Sequence, residues 1–377
     1  MKSRLHFPNL DALRSVACIC AIFQHTFGWY WFYLQEESFV VSRIVRGISY
    51  GEMALIFFYM LSGFLITYLM IEERHKTGRF SIPNFYVRRI LRVWPVFFLV
   101  IGLGMCLALI SPATFGLPER PVEKLWMYFL FCGNYDVMHM TMLGLQGVAN
   151  DALRVTWSLA IEEQFYLLWP LLFFFTNKKF AAAVLALVLV CLALKFIKMY
   201  DRFYFFHSLS SFYFIALGAF TAFLAHRFKD KIQSIFRRWH FALNYAIVFL
   251  VVFFSPEIEA MAGGSRIVLE VTISFCYLVL ILEQTVYQRP LVQASSVPLL
   301  AKLGRYTYGM YLYHQLIIYV WFALVSWEMT AVWEPFVYGI IILLITTAVG
   351  YASYELMEKR VLRLKDRFSK VVSGSGE

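Results

Sequence analysis

The stretch Leu-Asp-Ala-Leu-Arg-Ser-Val-Ala-Cys-Ile-Cys-Ala-Ile-Phe-Gln-His-Thr, residues 10–26, reads as the first membrane-crossing helix, yet it carries Asp11, Arg14 and His25. Ionisable groups inside a span are costly, which makes them functional candidates. At 100° per residue, the steps from Arg14 to His25 return the side chain to nearly the same face. At about 1.5 Å per residue the two stand about 16 Å apart. One face therefore carries a cation low in the membrane and an imidazole high in it.

Of the 377 residues 60% are apolar, 19% are aromatic and only 15% are charged, which lies far outside the usage of soluble domains. The fold class expected is an all-α polytopic membrane protein. Asp11 and Arg14 interrupt the first apolar run and no small-residue cleavage site follows, so the reading keeps this span in the mature chain. Cys18, Cys20, Cys106, Cys132, Cys191 and Cys276 lie mostly in apolar runs without a Cys-x-x-Cys pair. They read as packing residues, with neither a disulfide framework nor a metal site expected.

Hydropathy predicts spans at about 10–34, 48–71, 93–111, 157–176, 180–198, 208–226, 240–256, 266–284, 305–326 and 335–356. An eleventh candidate, 125–143, is broken by Gly133, Asn134 and Asp136. The basic segments 72–92, 227–239 and 357–370 all fall on one side only if the count is even, so ten spans with both termini cytoplasmic are expected. The net charge of +10 then reports orientation and anionic lipid headgroups rather than nucleic acid. Residues 1–367 form a single transmembrane domain. Residues 112–156 form a long external loop with a candidate interfacial helix or lid, and 368–377 form a short polar tail expected to be disordered.

Several polar residues fall at informative depths. His25 lies about 22 Å up from the inner surface and Glu162 and Glu163 about 9 Å below the outer one, so the depths match. A carboxylate there would orient the imidazole and stabilise its protonated form; hydration near the interface is the plainer reading. Arg88, Arg89 and Arg92 stand at the mouth of the third span. Arg89 and Arg92 share a helix face, and their guanidinium forks suit phosphate oxygens, although positive-inside anchoring alone would also place them there. Ser62 and Gly63 read first as a helix-packing pair. In the ninth span Tyr311 and His314 share a face. Asp11, three residues from Arg14, reads as its orienting partner.

In order, Leu-Asp-Ala-Leu-Arg with His25, Phe-x3-Ser-Gly-Phe-Leu-Ile at 58–66, Phe-x3-Arg-x2-Arg-x2-Pro at 85–95, Trp-Ser-Leu-x2-Glu-Glu-Gln-Phe-Tyr at 157–166 and Gly-x2-Thr-Tyr-x2-Tyr-Leu-x-His at 304–314 resemble the motif set of the membrane acyltransferase-3 family. The resemblance runs from residue 9 to about 360. It implies a multi-pass enzyme of the bacterial inner membrane that moves an acyl group, most often acetyl from cytoplasmic acetyl-CoA, onto a sugar hydroxyl outside. Matched residue by residue, the family's first-span Arg and His fall on Arg14 and His25. Its Arg-x-x-Arg falls on Arg89 and Arg92, and its Trp-Ser-Leu-x-x-Glu on Trp157, Ser158 and Glu162. Thr307 stands where many members have Ser.

Some members carry an extra esterase-like domain. Its absence from the sequence to residue 377 carries the expectation that transfer finishes in the membrane domain or passes to a separate protein. The implied roles are His25 as general base with Glu162 or Glu163 in support, and Arg14, Arg89, Arg92 and Arg88 on the donor's phosphates. Membrane lipids and a lipid-linked or surface polysaccharide, with lipopolysaccharide O-antigen favoured, are the expected partners. The oligomeric state is left open. A small secondary metabolite or a lipid as acceptor, a longer acyl donor, and a transporter using a His/Glu/Arg relay are the alternatives.

Overall fold

The computed structural model of the protein describes residues 3–28, 34, 38–110, 125–143, 151–198, 201–287, 289–325 and 333–373. Its main elements are α1 (Pro8–Thr26), α2 (Gly51–Thr77), α3 (Ile82–Ile110), α4 (Thr156–Thr176), α5 (Phe180–Ile197), α6 (Ser208–Arg227), α7 (Arg238–Phe253), α8 (Ile267–Val286), α9 (Thr307–Leu324) and α10 (Glu334–Ser353). Each coincides with one expected span. Among the described residues six helical stretches are long and apolar enough to cross a membrane, or seven if the pair Lys229–Ile235 and α7, bent by 84°, counts as one span. Ten crossings are therefore more than length and composition establish. The other three, α1, α4 and α9, carry Asp11, Arg14 and His25, Glu162 and Glu163, and His314 respectively. The polar residues that lower their hydropathy are the candidates named above. Large apolar side chains such as Phe175, Leu344 and Phe249 are 77%, 64% and 62% exposed, as a surface in contact with lipid requires. The chain is a multi-pass membrane protein.

Local chemistry sets the boundaries. Helix α2 stops at Gly78, whose φ of 71° places it in the left-handed region and whose N–H bonds the Arg74 carbonyl. Helix α3 begins four residues later, so Arg88, Arg89 and Arg92 stand within its first turns and not in a loop before it. Residues 125–143 form no helix long enough to cross a membrane. They form the short helices Leu125–Phe129 and Gly133–Met142, parted at Phe131 with a φ of 54°. Asn134 donates to the Phe206 carbonyl at 3.1 Å and accepts from Gln164 of α4 at 2.9 Å. The polar groups that interrupt this segment thus fasten it to α4. The rest of the expected lid, 112–124 and 144–150, lies outside the described residues.

Among the described residues one pair of short strands is present. Ser3–Leu5 (β1) pairs in parallel with Val371–Ser373 (β2), in the register Ser3↔Val371. This corrects the expectation of a disordered tail from 368. Val371 and Val372 favour extended backbone, and β1 supplies the ladder partner. Strands β1 and β2 therefore lie side by side on one face of the bundle.

The core gathers where α2 and α6 cross. Met60, Phe64, Ile215, Ala216 and Ala219 are buried there, and a Cβ on Gly63 would come within 1.9 Å of the Ile215 carbonyl oxygen. Gly218 stands in the same relation to Met60. Without a hydrophobic driving force in lipid, such backbone approach is what lets helices associate. Lys195, buried in α5, donates to Glu270 of α8 at 2.5 Å and to Ser210 of α6 at 2.9 Å, so the intramembrane cation is paired. Gly63→Leu should force α2 from α6 and destabilise the protein by about 1–3 kcal/mol or more, read as a lower melting temperature in detergent. Gly102→Ala, with nothing within 4 Å of the new Cβ, should be neutral or stabilising by about 1 kcal/mol.

Candidate active site

Helices α1, α2, α3, α4 and α9 surround a cavity of about 350 Å³, lined among others by Arg14, Ser62, Arg89, Arg92, Ser158, Glu162 and Tyr311. That volume suits a small-molecule site. Helix α1 contributes Arg14, whose Nη1 donates to Asp11 Oδ1 at 2.9 Å, while His6 meets the other Asp11 oxygen at 3.0 Å. Helix α3 contributes Arg89 and Arg92, three apart and so on one face. Arg89 lies over the ring of Tyr166 at 5.8 Å and Arg92 over Tyr308 at 5.7 Å. Among the described residues neither guanidinium makes a hydrogen bond or ion pair to a carboxylate.

Among the described residues Glu162 is one of three acidic groups that line the cavity, with Asp11 and Asp366. It accepts from Ser62 Oγ at 3.0 Å and from Tyr166 Oη at 2.5 Å, and Arg89 and Arg14 are the cations that face it. The hydroxyls of Ser62 and Tyr166 also meet each other. Ser62 is thus more than a packing residue, whereas its neighbour Gly63 serves the helix crossing. The adjacent Glu163, about 100° round the helix, leaves the cavity and accepts from Trp94 Nε1 at 3.0 Å.

The two histidines lie together beyond the cavity. The rings of His25 and His314 stand 5.3 Å apart, and His314 is 5.5 Å from Tyr311. Tyr311 bonds Ser158 at 2.8 Å and lines the cavity, so it links the arginine-rich space to the histidine pair. His25 keeps an exposed side chain while His314 is fully buried. His314 Nδ1 lies 2.5 Å from the Tyr311 carbonyl oxygen. A carbonyl only accepts, so Nδ1 carries the hydrogen and Nε2, which has no partner among the described residues, holds the lone pair.

Three expectations are corrected. Glu162 makes no hydrogen bond or ion pair with His25, whose neighbour is His314. Counting residues from the span ends places Glu162 and His25 at one level, but Glu162 faces Arg14, which lies about 16 Å from His25 along α1. Arg88 does not line the cavity, because it is engaged by Glu73 at 2.9 Å and by the Phe368 carbonyl at 2.9 Å. Trp157 packs on Phe205 and Phe206, at ring distances of 5.3 and 5.0 Å, as a buried core residue. The sequence reading missed Tyr166, although its i+4 spacing from Glu162 puts both on one face. It also missed Lys359, Arg363 and Lys365, which line the cavity from the C-terminal segment and whose basic run reads as an orientation signal. Away from the cavity, ligand atoms of Glu72, His75 and His226 lie within 4.8 Å of one another; Glu72 is held there by Lys76 at 2.6 Å and His226 at 3.1 Å.

Residues 7–355 match the family described as an acyltransferase domain, acyltransferase-3. The chain belongs to that family. It is 24% identical over 382 residues to a putative peptidoglycan O-acetyltransferase, YrhL, of Bacillus subtilis (strain 168), covering 94% of this chain and 55% of that protein. It is 30% identical over 187 residues to the O-acetyltransferase OatA of Staphylococcus aureus (strain NCTC 8325 / PS 47), covering 48% and 27%. The peptidoglycan O-acetyltransferase OatA of Listeria monocytogenes serovar 1/2a (strain ATCC BAA-679 / EGD-e) is 28% identical over 182 residues, covering 45% and 24%. The chain thus spans about half the length or less of these relatives. No solved structure matches it.

Tyr166→Phe should leave Glu162 with Ser62 as its only hydroxyl donor and cost about 1–3 kcal/mol. A melting temperature unchanged from wild type would refute that hydrogen bond.

Proposed function

We propose that the protein is a membrane O-acyltransferase that takes an acyl group, acetyl in the first instance, from a CoA thioester in the arginine-rich cavity and delivers it to a sugar hydroxyl at the histidine pair. The observation that carries this reading is one chain of side-chain contacts. Arg89 and Arg92, without carboxylate partners among the described residues, share a cavity with Tyr311, and Tyr311 touches His314, which touches His25. Guanidinium groups in a site of low dielectric suit the phosphates of a nucleotide. About 16 Å separates Arg14 from His25 along α1, the order of length of an extended pantetheine arm.

The chemistry balances without a further energy source. The acceptor O–H loses its proton to an imidazole nitrogen of His25 as its oxygen attacks the thioester carbonyl carbon. The C–O bond forms, the carbonyl becomes a tetrahedral oxyanion, and its collapse breaks the C–S bond. The thiolate of CoA leaves and takes the proton back from His25. His314, fixed by the Tyr311 carbonyl, holds the second imidazole against the first. Glu162 balances Arg14 and Arg89 rather than supporting His25.

The acceptor is a surface glycan. The relatives named as peptidoglycan O-acetyltransferases favour a cell-wall polymer, and the family resemblance favours an O-antigen or another lipid-linked polysaccharide. In the proposed setting the chain lies in the bacterial cytoplasmic membrane with both termini inside and the acceptor outside. Mass spectrometry of both glycan fractions, from cells with and without the protein, decides between them; no difference in either would overturn the glycan acceptor.

His25→Ala should lower acyl transfer by about 10²–10⁴-fold while the protein stays folded in the membrane, and near-normal transfer would remove His25 from the reaction. Arg89→Ala should weaken CoA binding by about tenfold or more. Release of free CoA thiol from acetyl-CoA and glycan is the direct assay, and solute movement with no thiol release would mean a transporter.

A further inference from the structure

The C-terminal segment beyond α10 is built into the cavity wall. The short helix Lys359–Lys365 is followed by a turn at Asp366–Phe368 and by β2. Arg88 of α3 holds the Phe368 carbonyl, and Ser369 Oγ donates to the Lys365 carbonyl at 3.1 Å. Strand β2 is pinned to β1, and Leu5, His6 and Phe7, at the end of β1 and just beyond it, also line the cavity. The segment is therefore fastened to the bundle at two places, by Arg88 and by β1, and braced internally at Ser369.

The side chain that matters in it is Lys365. It is 8% exposed, lines the same cavity as Arg14, Arg89 and Arg92, and has Arg92, Arg89 and Arg88 as nearby like charges, opposed by Asp366. Among the described residues its ammonium makes no hydrogen bond or ion pair. Three cations without carboxylate bonds among the described residues therefore share one space, where like charges repel. Such a cluster suits an anion of more than one charge.

We propose that Lys365 is part of the donor site and binds a phosphate group of the acyl donor's nucleotide, so that the C-terminal segment forms one wall of that site. The inference rests on the donor reading above. It adds a residue and an element that the family motifs do not contain. The same phosphate chemistry is offered by an anionic lipid headgroup, which the test separates.

The experiment uses the full chain in nanodiscs of neutral lipid, titrated with CoA, dephospho-CoA and pantetheine. Lys365→Ala should weaken CoA binding by roughly tenfold, weaken dephospho-CoA no more than CoA, and leave pantetheine unchanged; Lys365→Arg should retain most of the affinity. Lys365→Met should raise the melting temperature of the unliganded protein, because it relieves like-charge repulsion, a change opposite in sign to its effect on binding. CoA affinity equal to wild type in Lys365→Ala, alongside a loss in Arg89→Ala, would overturn the proposal and leave the donor reading intact. No CoA binding by the wild type would overturn both. If the substitution changes behaviour only in nanodiscs containing phosphatidylglycerol, the phosphate partner is lipid and the nucleotide assignment fails.

Discussion

Glu162 is a carboxylate set among guanidinium groups inside a helix bundle, and it is held by a hydroxyl from its own helix and one from α2. The surrounding architecture answers to the cost of keeping charge there. Asp11 pairs with Arg14 and Glu162 faces Arg14 and Arg89, while Arg89, Arg92 and Lys365 share the cavity without carboxylate bonds among the described residues, so the cluster remains net positive. In a region of low dielectric this is an unfavourable balance. It persists only because folding energy comes from elsewhere, chiefly the glycine-to-backbone crossing of α2 and α6 and the aromatic core around it. The helix that supplies Ser62 to the cavity is also the helix whose Gly63 makes that crossing. Stability and site geometry are thus fixed by adjacent residues.

The same trade appears in hydropathy. Helices α1, α4 and α9 are long enough but not apolar enough to count as free-standing spans, and they carry Arg14 and Glu162 of the cavity and the histidine pair. A helix of this kind is stable in a bilayer when its polar face is covered by neighbours. The apolar helices around these three supply that cover, as α2 and α6 do with 61% and 78% of their most apolar windows buried. Sequence regions that look weak as spans are for this reason places to search for a site, and α3 adds Arg89 and Arg92 from a helix that is apolar enough to cross.

Much of the bundle was legible because hydropathy is a one-dimensional signal, and all ten expected spans coincide with helices. Local pairings were legible as well: Asp11 with Arg14, and Arg89 with Arg92 on one face, follow from spacing alone. What spacing cannot supply is which helix lies opposite which. Glu162 and His25 are expected at matching depths, yet Glu162 faces Arg14 and His25 meets His314. Glu162 and Glu163 are adjacent in sequence, and a rotation of about 100° sends one into the cavity and the other to Trp94. Arg88 and Arg89 divide in the same way, the first engaged by Glu73. Trp157 belongs to a motif and serves as core. Lys365 gave no local signal, because a basic residue after the last span is what membrane orientation alone would produce.

The pairing of β1 with β2 bears on the charge balance more than its size suggests. Three residues on each side form a ladder too short to be stable in water by itself, so it must be held by what flanks it. On one side that is α1, through Leu5, His6 and Asp11; on the other it is the Arg88 bond to Phe368. Those flanking groups are the rim of the cavity. A ladder that closes only when both rims are in place couples the position of Lys365 to that of Arg14 through His6 and Asp11. A cation cluster assembled from the two ends of the domain is therefore completed only in the folded chain, which keeps its repulsion out of any partly formed bundle.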